Sequence, residues 1–244
     1  MNTVGTSFKA GLRTALLVIF AVILMDQVLK IWIKTHMTMD EEIPVIGDWF
    51  ILHFTENPGM AFGMEFGGTY GKLLLTLFRI IAVGGLSYYL YTQIKAGVRM
   101  GFIICLAMIT AGAAGNIIDS IFYGVFFSES THYQLATAFP ETGYATWFHG
   151  EVVDMFYMPI FKGYLPEALG GDYFIFFRPI FNLADASISL GVFFILLFQK
   201  RFFSESSALN ENTEATVIDE AVNSSDDLPI SEEDDEISSA QKGI

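Results

Sequence analysis

Two short patterns in this sequence carry the same chemistry. Asn116-Ile117-Ile118-Asp119 and Asn182-Leu183-Ala184-Asp185 each set an amide and a carboxyl three residues apart, on one face of a helix. A third acid, Asp154, stands in Val152-Val153-Asp154-Met155, and Asn57 leads Asn57-Pro58-Gly59-Met60-Ala61-Phe62. Asp26 and Lys30 are four apart, so a helix can pair them. Carboxyls that meet in apolar surroundings cannot both ionise and share one proton. The ionised partner can take a proton from water while the protonated one donates to a carbonyl. Peptide hydrolysis without a metal or covalent intermediate fits this set. A proton or ion relay fits it as well, and for Asp26 with Lys30 an orienting ion pair stands beside substrate contact.

Other catalytic arrangements are missing from the sequence. It holds no His-Glu-x-x-His, no Gly-x-Ser-x-Gly and no phosphate-cradling Gly-x-x-x-x-Gly-Lys. His149-Gly150-Glu151 resembles half a zinc-deaminase pattern, but no Pro-Cys-x-x-Cys follows it. The single cysteine, Cys105, excludes an internal disulfide and a Cys-built metal centre, and its apolar run suits a packed thiol. No cofactor is expected.

The elements that position these residues are greasy. Of 244 residues 52% are hydrophobic and 16% charged, with a mean hydropathy of +0.47, against a usual charged share of about 25%. The net charge of −14 is mostly an appendage: from Phe203 onward there are twelve acids and one base, leaving −3 for residues 1–202. That acidic segment, 203–244, has too little apolar area to fold and is expected to be a disordered cytoplasmic tail. The body has no basic excess for nucleic acid.

About 20 apolar residues span a bilayer. Four stretches qualify: 12–33, 73–91, 100–122 and 181–198. Lys9 and Arg13, Lys95 and Arg99, and Lys200 and Arg201 then share one side, which puts both termini in the cytoplasm. Two outer segments remain, 35–71 and 123–179. The first carries a period of two over Phe50–Thr55, a short strand, and the second is rich in aromatics suited to the headgroup level. The fold expected is an α-helical integral membrane protein with four transmembrane helices, a small β-rich outer-leaflet segment and an extra outer loop. In it both Asn/Asp pairs arrive at the outer boundary, and Gly112 and Gly115 let the third helix approach a neighbour.

Five blocks in order resemble the lipoprotein signal peptidases (signal peptidase II). They are Asp26-Gln27-Val28-Leu29-Lys30, Asn57 to Gly63, Gly115 to Asp119, Val152 to Met155 and Phe181 to Asp185. The resemblance implies an inner-membrane aspartyl endopeptidase that removes the signal peptide of a prolipoprotein just before a diacylglyceryl-modified cysteine. It matches Asp154 and Asp185 to the catalytic pair, a choice that spacing alone leaves open. It matches Asn57, Asn116, Asp119, Asn182 and Ala184, with Asp26 and Lys30, to supporting positions. It also implies membrane lipids as surroundings and globomycin-type cyclic peptides as inhibitors, and the enzyme is expected to be a monomer.

The chain departs from the family pattern in places. Ser120 stands where Arg usually follows Asp119, Glu56 where Arg often precedes the Asn, and Met60 where a small residue is usual. The gap from Ser120 to Glu151 is about thirty residues where the family usually has a few. This insertion is either an elaboration shaping access to substrate or a passive loop. The alternative function is a transporter or proton relay using Asp26, Asp119 and Asp185, and a non-catalytic scaffold is a further rival.

Overall fold

Three of the four apolar stretches fold as helices that overrun their apolar windows. These are α1 (Phe8–His36), α2 (Gly68–Lys95) and α3 (Met100–Ile118), the last continuing through a π-helical turn (Asp119–Tyr123) and a single turn α4 (Gly124–Phe126). Each is long and apolar enough to cross a membrane. The fourth, α5 (Leu183–Leu197), has 15 residues, about 22 Å at 1.5 Å per residue. The computed structural model describes residues 6–58, 68–164, 166–167 and 171–202; Gly59 to Gly63 of the second block and the acidic segment 203–244 lie outside them.

The outward faces of these helices are apolar: Leu16, Leu17, Phe20 and Leu24 on α1, Leu74, Phe78 and Ile81 on α2, Leu190, Phe193 and Leu197 on α5 are all exposed. Faces this continuous belong against lipid rather than water. The inward faces meet closely because α3 is thinned by glycine. A Cβ on Gly112 would strike the Ala184 carbonyl oxygen and lie 2.7 Å from Ile188 Cγ1, and one on Gly115 would lie 2.9 Å from Asp26 Oδ2. The small residues therefore bring α1, α3 and α5 together at the level of the polar blocks.

At that end of the helices lies a four-stranded antiparallel sheet in the order β1-β2-β3-β6: β1 (Glu42–Ile46), β2 (Phe50–Asn57), β3 (Val152–Tyr157) and β6 (Ile180–Phe181). A separate hairpin pairs β4 (Phe161–Tyr164) with β5 (Tyr173–Phe176). The strand expected at 50–55 is present, but its period of two is broken. The β2/β3 register shifts between Leu52 and Thr55, so Ile51 and Phe54, three apart, are both buried. Pro44 is accommodated because β1 is an edge strand.

The long insertion is fastened into this frame. Phe127 joins Ile33, Met37, Phe54, Tyr123, Val153 and Met155 in one buried cluster between α1, the sheet and the π-helical turn. Thr76 donates to the Phe148 carbonyl at 3.1 Å, and Lys72 pairs with Glu151 at 3.5 Å, tying the far end of the insertion to α2. In its middle the insertion closes over a buried ion pair. Lys34, fully buried near the end of α1, pairs with Glu56 and donates to Ser130 Oγ at 2.9 Å. Its ammonium also lies 4.8 Å from the Tyr144 ring centre and 5.6 Å from that of Phe127.

Glu56, which departs from the family pattern, is therefore the counter-ion of Lys34. Lys34→Met strands this acid without its cation and is expected to cost about 3–5 kcal/mol. Lys34→Met with Glu56→Met is expected to recover most of that, read as thermal melting in detergent. A single variant that melts with the wild type would show that the pair does not hold the insertion down.

Candidate active site

Asp154 and Asp185 reach one point from different elements. Asp154 sits in the middle of β3 and is buried. Asp185 is the third residue of α5 and is half-buried. The side chain of Asn182 binds both: its amide nitrogen donates to Asp154 Oδ1 at 2.7 Å, and its oxygen accepts the Asp185 backbone N–H at 2.9 Å. Asn57, next to Glu56 in β2, donates to Asp154 Oδ2 at 3.3 Å, and Asn116 donates to Asp185 Oδ1 at 2.8 Å. Burial, and then the charge of Asp185, push the Asp154 carboxyl up to about 7.

The two Asn-x-x-Asp patterns do different work. Asn182 lies outside the helix, with extended backbone (φ −114°, ψ 179°), and caps it. Asp185 accepts the Asn182 backbone N–H in return, a reciprocal capping box. So this pair does not share a helix face as expected. The pattern is that of a helix start, and it fixes Asp185 at a helix N-terminus. Asn116 lies within α3, and Asp119 stands at its C-terminal end.

What Asp119 meets is Lys30. The Lys30 ammonium has three protons and three partners: Asp26 at 2.9 Å, Asp119 at 2.7 Å and the Asn116 side-chain oxygen at 2.8 Å. Asp26, Lys30 and Asp119 are all fully buried. Gln27 completes this centre, donating to Asp119 Oδ1 at 2.8 Å and to Asp26 Oδ2 at 3.2 Å, with its own oxygen held by Tyr123 Oη at 3.2 Å. Backbone N–H groups complete the set, one on the second oxygen of Asp26 and one on the Asp119 oxygen that already meets Lys30. Asp26 Oδ1 accepts the Ala184 N–H at 2.9 Å, and Asp119 Oδ2 accepts the Val153 N–H at 3.3 Å.

This ionic centre orients the acid pair at one remove. Asn116 Oδ1 accepts from Lys30 and, at 3.1 Å, from Asn182. Two donors on that oxygen decide which way the amide points, so the Asn116 NH2 is aimed at Asp185. Ala184 and Val153, the residues just before Asp185 and Asp154, are each tied to one carboxylate of the centre. One lysine thereby places α5 and β3, and with them the two acids.

The structure thus brings together all nine residues singled out in the sequence: Asp154 and Asp185 with Asn57, Asn116 and Asn182 around them, and Asp26, Lys30, Asp119 and Ala184 behind. Gln27 and Tyr123 belong to the same network without having been singled out. A polar Gln inside a span was the available signal for the first; for a Tyr at a span end there was none. Ser120 donates to its own helix, to the Asn116 carbonyl at 3.0 Å, and takes no part in the acid pair.

The chain matches the family described as signal peptidase (SPase) II over residues 18–201. It is 50% identical over 195 residues to the lipoprotein signal peptidase of Porphyromonas gingivalis, covering 78% of this chain and 83% of that one. To the lipoprotein signal peptidase of Amoebophilus asiaticus it is 38% identical over 199 residues, 80% of each. A solved bacterial membrane enzyme superposes with a TM-score of 0.53 at 25% identity, covering 80% of this chain and 96% of that one. Together with the order of the five blocks, these similarities place the chain in the signal peptidase II family.

Proposed function

We propose that Asp154 and Asp185 are the catalytic pair of an aspartic endopeptidase. The enzyme cleaves signal peptides from diacylglyceryl-modified prolipoproteins, just before the lipidated cysteine. The observation that carries this is the junction at Asn182, whose side chain donates to the Asp154 carboxylate and accepts the backbone N–H of Asp185, close enough for the charge of Asp185 to act on Asp154. Asp154, whose carboxyl keeps its proton to about pH 7, is the resting acid of the pair. Asp185, half-buried, is the base.

Water loses a proton to Asp185 as its oxygen bonds to the scissile carbonyl carbon, and Asp154 gives its proton to the carbonyl oxygen. Collapse of the resulting diol breaks the C–N bond. The amine takes the proton held by Asp185, and Asp154 recovers one from the diol hydroxyl. Asn57, Asn116 and Asn182 hold the two carboxyls, and Asp26, Lys30, Asp119 and Ala184 hold those amides and strands in place.

The same reading makes all four helices membrane spans of a monomer in the inner membrane, with both termini and segment 203–244 cytoplasmic. The sheet and the acid pair then face the outer leaflet, where a lipid-bearing cysteine would sit, and a globomycin-type peptide would occupy the same cleft. A transport function finds less support, because the acids are bound to Lys30 and to amides at the helix ends instead of lining a path through the helices.

The test is cleavage of a diacylglyceryl-modified prolipoprotein by the purified protein in detergent across a pH series. Activity is expected to fall on the alkaline side with an apparent pKa near 7, as the pair loses its shared proton. Stability should follow the same group. A carboxyl raised from 3.8 to about 7 stabilises the folded state below the lower value, and that contribution fades as pH climbs through about 7. A well-folded protein that leaves the substrate whole at every pH would overturn the assignment.

A further inference from the structure

We infer that Arg79 is a substrate-contacting residue that donates to a carbonyl oxygen of the substrate beside Asp185. The inference rests on the peptidase reading above and adds a residue from α2.

Arg79, Ala82, Val83 and Leu86 lie at the i, i+3, i+4, i+7 positions of α2 and form one stripe. That stripe lines a half-open cavity of roughly 290 Å3, together with Ala113 and Asn116 of α3 and Asp185 and Ile188 of α5. The polarity of the lining is ordered along the helices. Arg79, Asn116 and Asp185 are each the lining residue of their helix nearest the sheet, and Leu86, Ala113 and Ile188 lie deeper. The cavity thus has a polar rim and an apolar floor, the shape for an apolar chain that carries a carbonyl at one end.

A guanidinium in this place is costly. An Arg well inside a span is disfavoured by roughly 2.5–3.5 kcal/mol on insertion scales, and such residues mark functional sites by default. The charge of Arg79 acts on both Asp185 and Asp154. Its planar fork offers several N–H donors in a fixed geometry. A neutral carbonyl oxygen at the rim would accept from the fork beside the base that activates water. There the fork meets the negative charge that develops on that oxygen during attack.

Two kinds of substrate carbonyl have this chemistry: the scissile peptide carbonyl and the ester carbonyls of the diacylglyceryl group. The experiment separates them. Wild type, Arg79→Met and Arg79→Lys are assayed on a prolipoprotein peptide carrying the diacyl ester and on one carrying a dialkyl ether, which lacks the ester carbonyls. Arg79→Met is expected to lose about 10^2-fold in kcat/KM on the ester substrate, the effect of removing one well-placed donor. Arg79→Lys, a cation without the fork, should recover part of it.

An equal loss on both substrates, expressed in kcat, assigns the scissile carbonyl. A loss confined to the ester substrate and expressed in KM assigns the lipid ester. A loss of less than threefold on both substrates overturns the inference. Should Arg79→Met fail to fold, Arg79→Gln carries the test on the same criteria. A wild type that cleaves neither substrate would instead sink the peptidase reading on which the inference rests.

Discussion

Asp154→Asn and Asp185→Asn are each expected to lower prolipoprotein cleavage by about 10^3-fold or more, toward the upper end of what a positioned acid or base contributes. The substitution removes the proton chemistry and leaves the shape. An Asn at 154 still accepts the 2.7 Å hydrogen bond from Asn182, and an Asn at 185 still sits at the start of α5. Neither variant should lose its fold. Asp154 prefers its neutral form because it is buried beside Asp185, so Asp154→Asn should melt at or above the wild type at pH 8, where the native carboxyl is forced to ionise. Loss of activity without loss of stability is the signature required.

Asp119→Asn is the control. It weakens one of two carboxylates on Lys30 and touches neither proposed catalytic acid, so its loss should be on the order of tenfold, the scale of one impaired hydrogen bond. Should Asp154→Asn keep a tenth of the wild-type rate while Asp119→Asn is dead, the assignment of the pair would have to be exchanged.

That contrast also marks how far the residues alone could be read. The three long helices were legible because apolar runs of this length have few other uses, and the Asp26–Lys30 pair because i, i+4 spacing on a helix has one geometry. The difference between Asp119 and Asp185 was not legible. Both follow an Asn by three residues at the end of an expected span, and only the structure shows that Asn182 stands outside its helix as a cap while Asn116 stays within one. A capping pattern of Asn followed three residues later by an acid was present at Asn182, yet it looks the same as two residues on a helix face until the boundary is known.

Most of the sheet was hidden for a different reason. In β3 four consecutive residues, Val152 to Met155, are buried, so the alternation that betrays a half-exposed strand is absent. In β2 the shift between Leu52 and Thr55 spoils the period. The Lys34–Glu56 pair spans 22 positions and is closed by Ser130, Phe127 and Tyr144 from a segment with no periodic signal of its own. Glu56 looked like a departure from a pattern because its partner could not be seen.

Lys30→Met should be the most damaging substitution behind the acid pair. It removes the cation that Asp26 and Asp119 share in a fully buried site and leaves both acids behind. Breaking a buried ion pair by deleting one partner costs about 3–5 kcal/mol. For a chain of this size that is a melting shift on the order of 10 °C. Activity should fall further than stability explains. Without Lys30 the Asn116 oxygen loses its shorter, charged donor and keeps the 3.1 Å contact with Asn182, so its NH2 is held on Asp185 less firmly. The triple variant Asp26→Asn, Lys30→Met, Asp119→Asn separates these effects. With the stranded charges gone, its melting should return most of the way toward wild type, while cleavage stays depressed because Asn116 still lacks its ammonium donor. Recovery of both together would mean that Lys30 serves the fold alone. A single Lys30→Met variant that melts and cleaves like wild type would mean that the three-way contact is not formed in the working enzyme.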